Sequence, residues 1–312
     1  MDRACDLLEG DAGIGAYVAY ANTRECEYPE EYTYHHAFCS IKAAKLREDV
    51  TVMYAWLHKV DDDVDTFDYM ALMKQCGCAL QKDGEAVLRA AVVHHFATLW
   101  ERIPMPIQAL MKEYGVAPSV VEDYLHIQTE IATRTMAVVW KREKASAASA
   151  PASESSAAAD NNDSWFDTME ELNTFDAQLF GSVCDMCGPI LFPRRKSTTG
   201  SADKNDDCYY YHHPSNTIRR GFVLFMNAMQ IANIVIDQRT DRERGQLWIP
   251  RPFVARAQDL FAACGDVFMH QATDLLYQGG ASSTHPAMPF LRSLQRIYEH
   301  FRATHTNTTT SS

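Results

Sequence analysis

Two groups of polar residues in this chain have the types and spacing of a metal site. In "KVDDDVDTFD", Lys59 to Asp68, four aspartates fall within five positions close behind the apolar run "VTVMYAWL". Two like charges 4 Å apart repel by roughly 4 kcal/mol at an effective dielectric of about 20. Water, proton uptake or a bound cation must therefore offset the crowding. On a helix Asp61 and Asp65 share one face, a turn apart, and could share a cation. Asp62 and Asp63 crowd the neighbouring faces, and Asp68 continues on the next turn. "DDDVDTFDYM" has no mid-loop glycine, so it is not an EF-hand loop. The second group lies in "FVLFMNAMQIANIVIDQRTDRERGQLWIP", Phe222 to Pro250. Phe222 to Ile236 is apolar almost all round, the mark of a buried helix. Gln230, Asn233, Asp237 and Asp241 nevertheless form one polar stripe at spacings of three, four and four. Carboxylates and amides in such a helix cost several kcal/mol unless they are paired or bound to metal.

Two Asp pairs on two helices, facing each other across a bundle, suit Mg²⁺ and a diphosphate. Mg²⁺ takes hard oxygen ligands in octahedral geometry, keeps waters, and is usually bound by one or two carboxylates plus substrate phosphate oxygens. It then serves as Lewis acid and template for the leaving diphosphate.

These groups must be positioned by helices, because apolar periodicity near 3.6 dominates and no sustained alternating stretch is found. The spacing predicts an all-α chain with helices at 31–47, 50–75, 84–101, 104–113, 118–140, 165–192, 216–240, 253–279 and 285–303. Two polar insertions, at about 141–164 and 194–215, fall between helices. The first contains the Ala/Ser-rich "KASAASAPASESSAAADNNDS", Lys144 to Ser164, which has no large apolar residue to offset its ordering entropy and is expected to be a mobile loop. The second contains "RRKSTTGSADKNDD", Arg194 to Asp207. A single helical domain over 1–312, with two decorated loops, is the expected organisation.

With 46% hydrophobic residues, the 312-residue chain can bury a sizeable core. Its 29 Lys+Arg are outnumbered by 41 Asp+Glu, a net charge of -12, which argues against nucleic acid and anionic membranes as general partners. No run reaches the roughly 18 apolar residues of a membrane span, and the acidic start "MDRACDLLEGDAGIGAYVAY" does not read as a leader. A cytoplasmic location is expected, with the nine scattered cysteines reduced. "CDMC", Cys184 to Cys187, lies in a helical apolar run without a second pair and reads as buried structural thiols. "GDAGIG" near Gly10 lacks a preceding strand and is not a dinucleotide loop.

"YTYHHAF" (Tyr32 to Phe38), "MYAWLHKVDDDVD" (Met53 to Asp65), "FGSVCDMCG" (Phe180 to Gly188) and "QIANIVIDQRTDRERGQLWIP" (Gln230 to Pro250) together resemble the squalene/phytoene synthase family. The resemblance implies the all-α isoprenoid synthase bundle, with a central apolar cavity and the Asp-rich helices opposed at its mouth. It further implies that Asp61, Asp65, Asp237 and Asp241 bind Mg²⁺, that Asn233 and Gln230 support metal and diphosphate, and that Tyr54 faces the cavity. Tyr298 in "RIYEHF" is matched to the family's C-terminal diphosphate-contacting tyrosine.

The chain departs from that pattern where the family carries cations. His58 stands where Arg is usual, Ile236 replaces the Arg of "LRD", Gln246 replaces the last residue of "RGR", and Glu30, Glu31 and Thr33 replace a basic approach to the first helix. Each charge-assisted contact contributes about 1.5–3 kcal/mol, so a site for one diphosphate is expected rather than a site for two. The implied activity is that of a class I terpene synthase: it ionises farnesyl diphosphate with Mg²⁺ and cyclises it to a sesquiterpene hydrocarbon of the humulene type. The expected lining is Phe38, Tyr54, Phe180, Phe225 and Met226, with Arg244 and Lys59 as cations for the diphosphate. Two alternatives stay open: head-to-head joining of two prenyl diphosphates, as in phytoene or dehydrosqualene synthases, and a non-catalytic assembly protein of the same fold. Oligomeric state is not set by the sequence.

Overall fold

The computed structural model describes residues 37, 40, 41, 43–77, 83–148, 163–192, 215–278 and 287–306, together with the short strands Arg194–Arg195 and Tyr209–Tyr210. The described chain is all-α. The helices are α1 (Ala44–Asp65), α2 (Tyr69–Cys76), α3 (Gly84–Leu99), α4 (Met105–Tyr114), α5 (Pro118–Ala148), α6 (Met169–Leu191), α7 (Asn216–Ile236), α8 (Gln238–Arg244), α9 (Asp266–Gln278) and α10 (Met288–Thr306).

Helices α1, α5, α6 and α7 frame the interior, with α1 packed on both α5 and α6, and α6 packed on α7. The α9 helix packs against α7. The interior is closed by large apolar side chains, among them Met53, Trp56, Leu57 and Val60 of α1, Ile131 and Met136 of α5, Leu172 and Leu179 of α6, and Phe225 and Ile231 of α7.

Several boundaries differ from the spacing-based expectation, each for a local reason. The gap expected between 47 and 50 is bridged by α1, while the expected helix over 50–75 breaks after Asp65. There the Tyr69 hydroxyl donates to the carbonyl of Val64 at 3.2 Å, and the Asp68 carboxylate accepts from the backbone N–H of Ala71 at 2.8 Å. Asp68 is thus the cap of α2, the usual use of Asp at a helix start. Helix α5 runs on to Ala148, into the segment expected to be a mobile loop, because the alanines there have high helix propensity. The helix expected over 216–240 bends at Asp237, whose φ of -90° and ψ of 5° separate α7 from α8. The helix expected over 253–279 is instead a short 3₁₀ turn (Arg251–Phe253), a π-helical turn (Phe261–Gly265) and α9. Inside the second insertion Arg194–Arg195 pairs antiparallel with Tyr209–Tyr210, a two-residue ribbon too short to change the fold class.

Two junctions fix the end of the bundle that carries the acids. Residues 163–168 run beside 247–251: the N–H of Trp165 donates to the carbonyl of Leu247 at 2.9 Å, and the N–H of Arg251 to that of Phe166 at 2.9 Å. The rings of Trp165, Phe166, Phe175 and Trp248 pack into one cluster, with the Arg134 guanidinium 5.4 and 5.0 Å from the Phe166 and Phe175 ring centres. At the end of α8, Gly245 takes a φ of +93°, and a Cβ there would lie 3.3 Å from Val139 Cγ2 of α5. A glycine is required both by that φ and by the close approach, and it delivers Gln246 to the bundle interior.

Candidate active site

The aspartates of the first motif divide according to the helix face each occupies. Asp63 accepts from Lys59 Nζ at 2.9 and 3.1 Å and from the indole N–H of Trp100 at 3.1 Å. Asp61 and Asp65 face the neighbouring helices instead. Gln128 of α5 donates from Nε2 to Asp61 Oδ1 at 3.2 Å. Asp65 Oδ1 accepts from Gln246 Nε2 at 2.6 Å, and its Oδ2 from Arg244 Nη1 at 3.3 Å. Helix α1 is therefore tied through Asp65 to the end of α8, which follows the second motif in sequence.

Asp241 lies within the field of these acids. Burial pushes its carboxyl up to about 8, followed in order by the charges of Asp237 and Asp65, with Arg244 opposing and Asp61 adding. Burial pushes Asp61 up to about 6, against the Gln128 hydrogen bond, and pushes Asp65 up to about 7, with the Asp61 charge next and Gln246 and Arg244 opposing. The charges of Asp65 and Asp61 in the first motif thus raise the proton affinity of Asp241 in the second, and Arg244 acts on all three. Asp237 sits at the bend between α7 and α8, exposed, its N–H donating to the carbonyl of Asn233 and its carbonyl accepting from the N–H of Asp241, both at 2.8 Å. A cleft opens beside Asp241, walled by Asp163, Gln238, Gln246 and Trp248.

The other expected site residues are distributed as follows. Asn233 and Gln230 are half-buried on α7. Tyr54, half-buried on α1, has its hydroxyl 2.5 Å from His58 Nε2, the two rings edge to face at 4.5 Å. Phe180 and Phe225 are buried, and Met226 is packed against the same core. Arg244 stands beside Asp65, whereas Lys59 is paired with Asp63. Tyr298 is buried in a separate cluster, its hydroxyl donating to Asp266 Oδ1 at 3.0 Å next to Gly265 and Phe261. Phe38 lies outside the described residues.

Gln128 was not singled out by sequence reasoning, and Gln246 only as a departure from a pattern. The signal for Gln128 was nevertheless present. Tyr124, Gln128 and Thr135 recur along the apolar face of α5 and are all buried, the kind of polar stripe that marks the second acidic motif.

Whether these residues suit a divalent ion is a question of donor chemistry. Among the described residues no three His, Cys, Asp or Glu side chains converge closely enough to hold a metal by themselves. The acids are arranged as separated carboxylates in a shared field, with hard oxygen donors throughout. Mg²⁺ suits such a set, because it takes only one or two carboxylates and fills its octahedron with water and phosphate oxygens. The side-chain oxygen of Gln128, buried beside Asp61, has no hydrogen-bond partner among the described residues, a further acceptor that a hydrated cation would satisfy.

The family model for squalene/phytoene synthase matches residues 31–273, a span that includes both acidic motifs, Gln128, Arg244 and Gln246. Members of that family act on prenyl diphosphates and use divalent metal ions. No curated protein and no solved structure gives a significant match. Among the described residues no helix is long and apolar enough to cross a membrane.

Proposed function

The chain belongs to the squalene/phytoene synthase family, and from that premise we propose that it is a class I terpene synthase that ionises farnesyl diphosphate and cyclises it to a sesquiterpene hydrocarbon. The reading is supported by the direct bonds of Asp65 to Arg244 and Gln246, which tie the first acidic motif to the helix that carries Asp241, itself within the field of Asp65 and Asp61. Asp61, Asp65, Asp237 and Asp241, with Asn233, would hold divalent ions. When bound, Mg²⁺ supplies Lewis-acid neutralisation of the departing diphosphate.

The chain's own residues account for the remaining steps. Arg244 contributes a permanent positive charge at the acids, the one side-chain cation with a direct bond to Asp65 among the described residues. Its guanidinium would be a charge-assisted donor to the oxygens of a bound diphosphate. Gln230 and Asn233, on the last two turns of α7, offer neutral amides to the diphosphate. As the substrate C1–O bond breaks, the electron pair leaves with diphosphate and an allylic cation remains. Ring faces of Tyr54, Phe180 and Phe225 would stabilise it by about 0.5–2 kcal/mol each. Attack of a distal double bond on C1 closes the ring, and proton loss gives the neutral hydrocarbon.

Single-diphosphate use is supported by the fate of two departures from the family pattern. Gln246, uncharged, is bonded to Asp65, and His58 is engaged with the Tyr54 hydroxyl, so neither position carries the permanent charge that an arginine would offer a second diphosphate. Family membership favours a second reading, head-to-head joining of two prenyl diphosphates. Incubation with farnesyl diphosphate and Mg²⁺, followed by gas chromatography of the extract, separates the two: a volatile fifteen-carbon hydrocarbon supports the cyclase, and a thirty-carbon product overturns it.

A further inference from the structure

Gln128 is nearly inaccessible, at 2% exposure, yet one end of its amide has no partner among the described residues. Its nitrogen is fully used. One hydrogen bond runs to the Tyr124 hydroxyl oxygen at 3.1 Å and another to Asp61 Oδ1 at 3.2 Å. Tyr124 is itself fixed, its hydroxyl donating to the carbonyl of Leu57 at 2.8 Å, one turn before Asp61 on the same helix. The result is a closed brace in which α1 holds Tyr124, Tyr124 accepts from Gln128, and Gln128 returns to α1 at Asp61. A brace of this kind fixes the amide plane and hence the direction of the free oxygen. If bracing were the whole role, burying that oxygen unsatisfied would cost about 1–3 kcal/mol for no return.

We infer that Gln128 is a component of the divalent-metal site, its amide nitrogen orienting Asp61 and its free oxygen serving as a neutral acceptor for the cation or the cation's water. Neutral oxygens are ordinary partners for hard cations. Groups that orient a ligating carboxylate change metal affinity by about 10–100-fold when removed. A neutral donor also adds no repulsion to a site that already gathers Asp61, Asp62, Asp65 and Asp241 in one field. This inference rests on the metal-dependent reading proposed above.

The test is binding of Mn²⁺ alone, without substrate, read from the loss of the free-ion paramagnetic resonance signal. Gln128→Met keeps the side-chain length without either polar atom, and it is expected to weaken Mn²⁺ binding by about 10-fold or more while the thermal midpoint in chelator stays at the wild-type value. Gln128→Leu gives the same loss should the Met variant not fold. Gln128→Glu keeps an oxygen donor but loses the N–H that Asp61 accepts from, so it is expected to bind Mn²⁺ more tightly than Gln128→Met. A Met or Leu variant with unchanged Mn²⁺ affinity overturns the inference, as does a Glu variant as weak as the Met variant. If Gln128→Met is without effect while Asp61→Asn abolishes binding, the metal-dependent reading stands and Gln128 is a brace only. Wild-type protein that binds no Mn²⁺ overturns both.

Discussion

Replacing Asp241 with Asn should make the metal-free protein more stable near pH 8, although it removes a proposed metal ligand. The Asp241 carboxyl ionises near 8 in the fold, against 3.8 for a free side chain. Burial is the first cause and the neighbouring Asp237 and Asp65 the next. The sign follows from linkage. Below pH 3.8 the carboxyl is neutral in both states and contributes nothing. Between 3.8 and 8 the folded chain holds a proton that the unfolded chain has released, so stability falls as pH rises across that window. At about 1.4 kcal/mol per tenfold change, the ceiling on this burden at pH 8 is roughly 5 kcal/mol. Asp241 is partly exposed, and water screens the charge, so about 1–3 kcal/mol is the working figure. For a chain of this size that corresponds to a rise of roughly 2–8 °C in Tm. Scanning calorimetry of Asp241→Asn and wild type in chelator should show the largest gain near pH 8 and little difference near pH 4. Added Mg²⁺ should raise the Tm of wild type more than that of the variant, because the cation removes the same repulsion that the substitution removes. A variant less stable than wild type at pH 8 in chelator would refute this reasoning, since Asp241 would then be a structural group rather than a strained ligand.

Arg244→Gln removes the charge that opposes the raised proton affinity of Asp61, Asp65 and Asp241 alike. It should lower kcat/KM by about 10–100-fold, matching the 1.5–3 kcal/mol of a charge-assisted contact, and should move the acidic limb of the pH–rate profile upward. Gly245→Ala forces a side chain into a positive φ against Val139. It should cost about 1–3 kcal/mol in urea unfolding and reduce turnover, because Arg244 and Gln246 flank it. Tyr114→Phe is the control far from the chemistry. It removes the hydroxyl that donates to buried Asp49, so stability should fall by about 1–3 kcal/mol with kcat unchanged; a fall in kcat would contradict the assignment of that pair to structure.

The bundle was legible because buried helices must be apolar at regular intervals, and the acidic pairs stood out because they violate that pattern at helical spacing. Two features were hidden from that reasoning. Asp68 looked like a further member of the acidic group, but its role depends on the chain turning at Thr66, which apolar periodicity does not report. Lys59 looked like a candidate for the substrate, yet at four residues from Asp63 it makes the local pair that a helix favours. Gln246 was visible only as the absence of an expected arginine. Its bond to Asp65 joins residues 181 positions apart, and such a contact is set by the turn at Gly245 rather than by neighbours in sequence. The helical extension to Ala148 shows the opposite error, in which low-complexity composition suggested disorder where alanine propensity extends the helix.

On the proposed reading, acids from two separate helices hold one diphosphate through divalent ions. Calorimetric titration of the protein with a non-ionising thio analogue of farnesyl diphosphate in the presence of Mn²⁺ counts the bound diphosphates and shows their dependence on the metal. One equivalent should bind per chain, with binding lost in chelator and in Asp61→Asn/Asp241→Asn. Two equivalents per chain, or binding indifferent to chelator and to both substitutions, would contradict it.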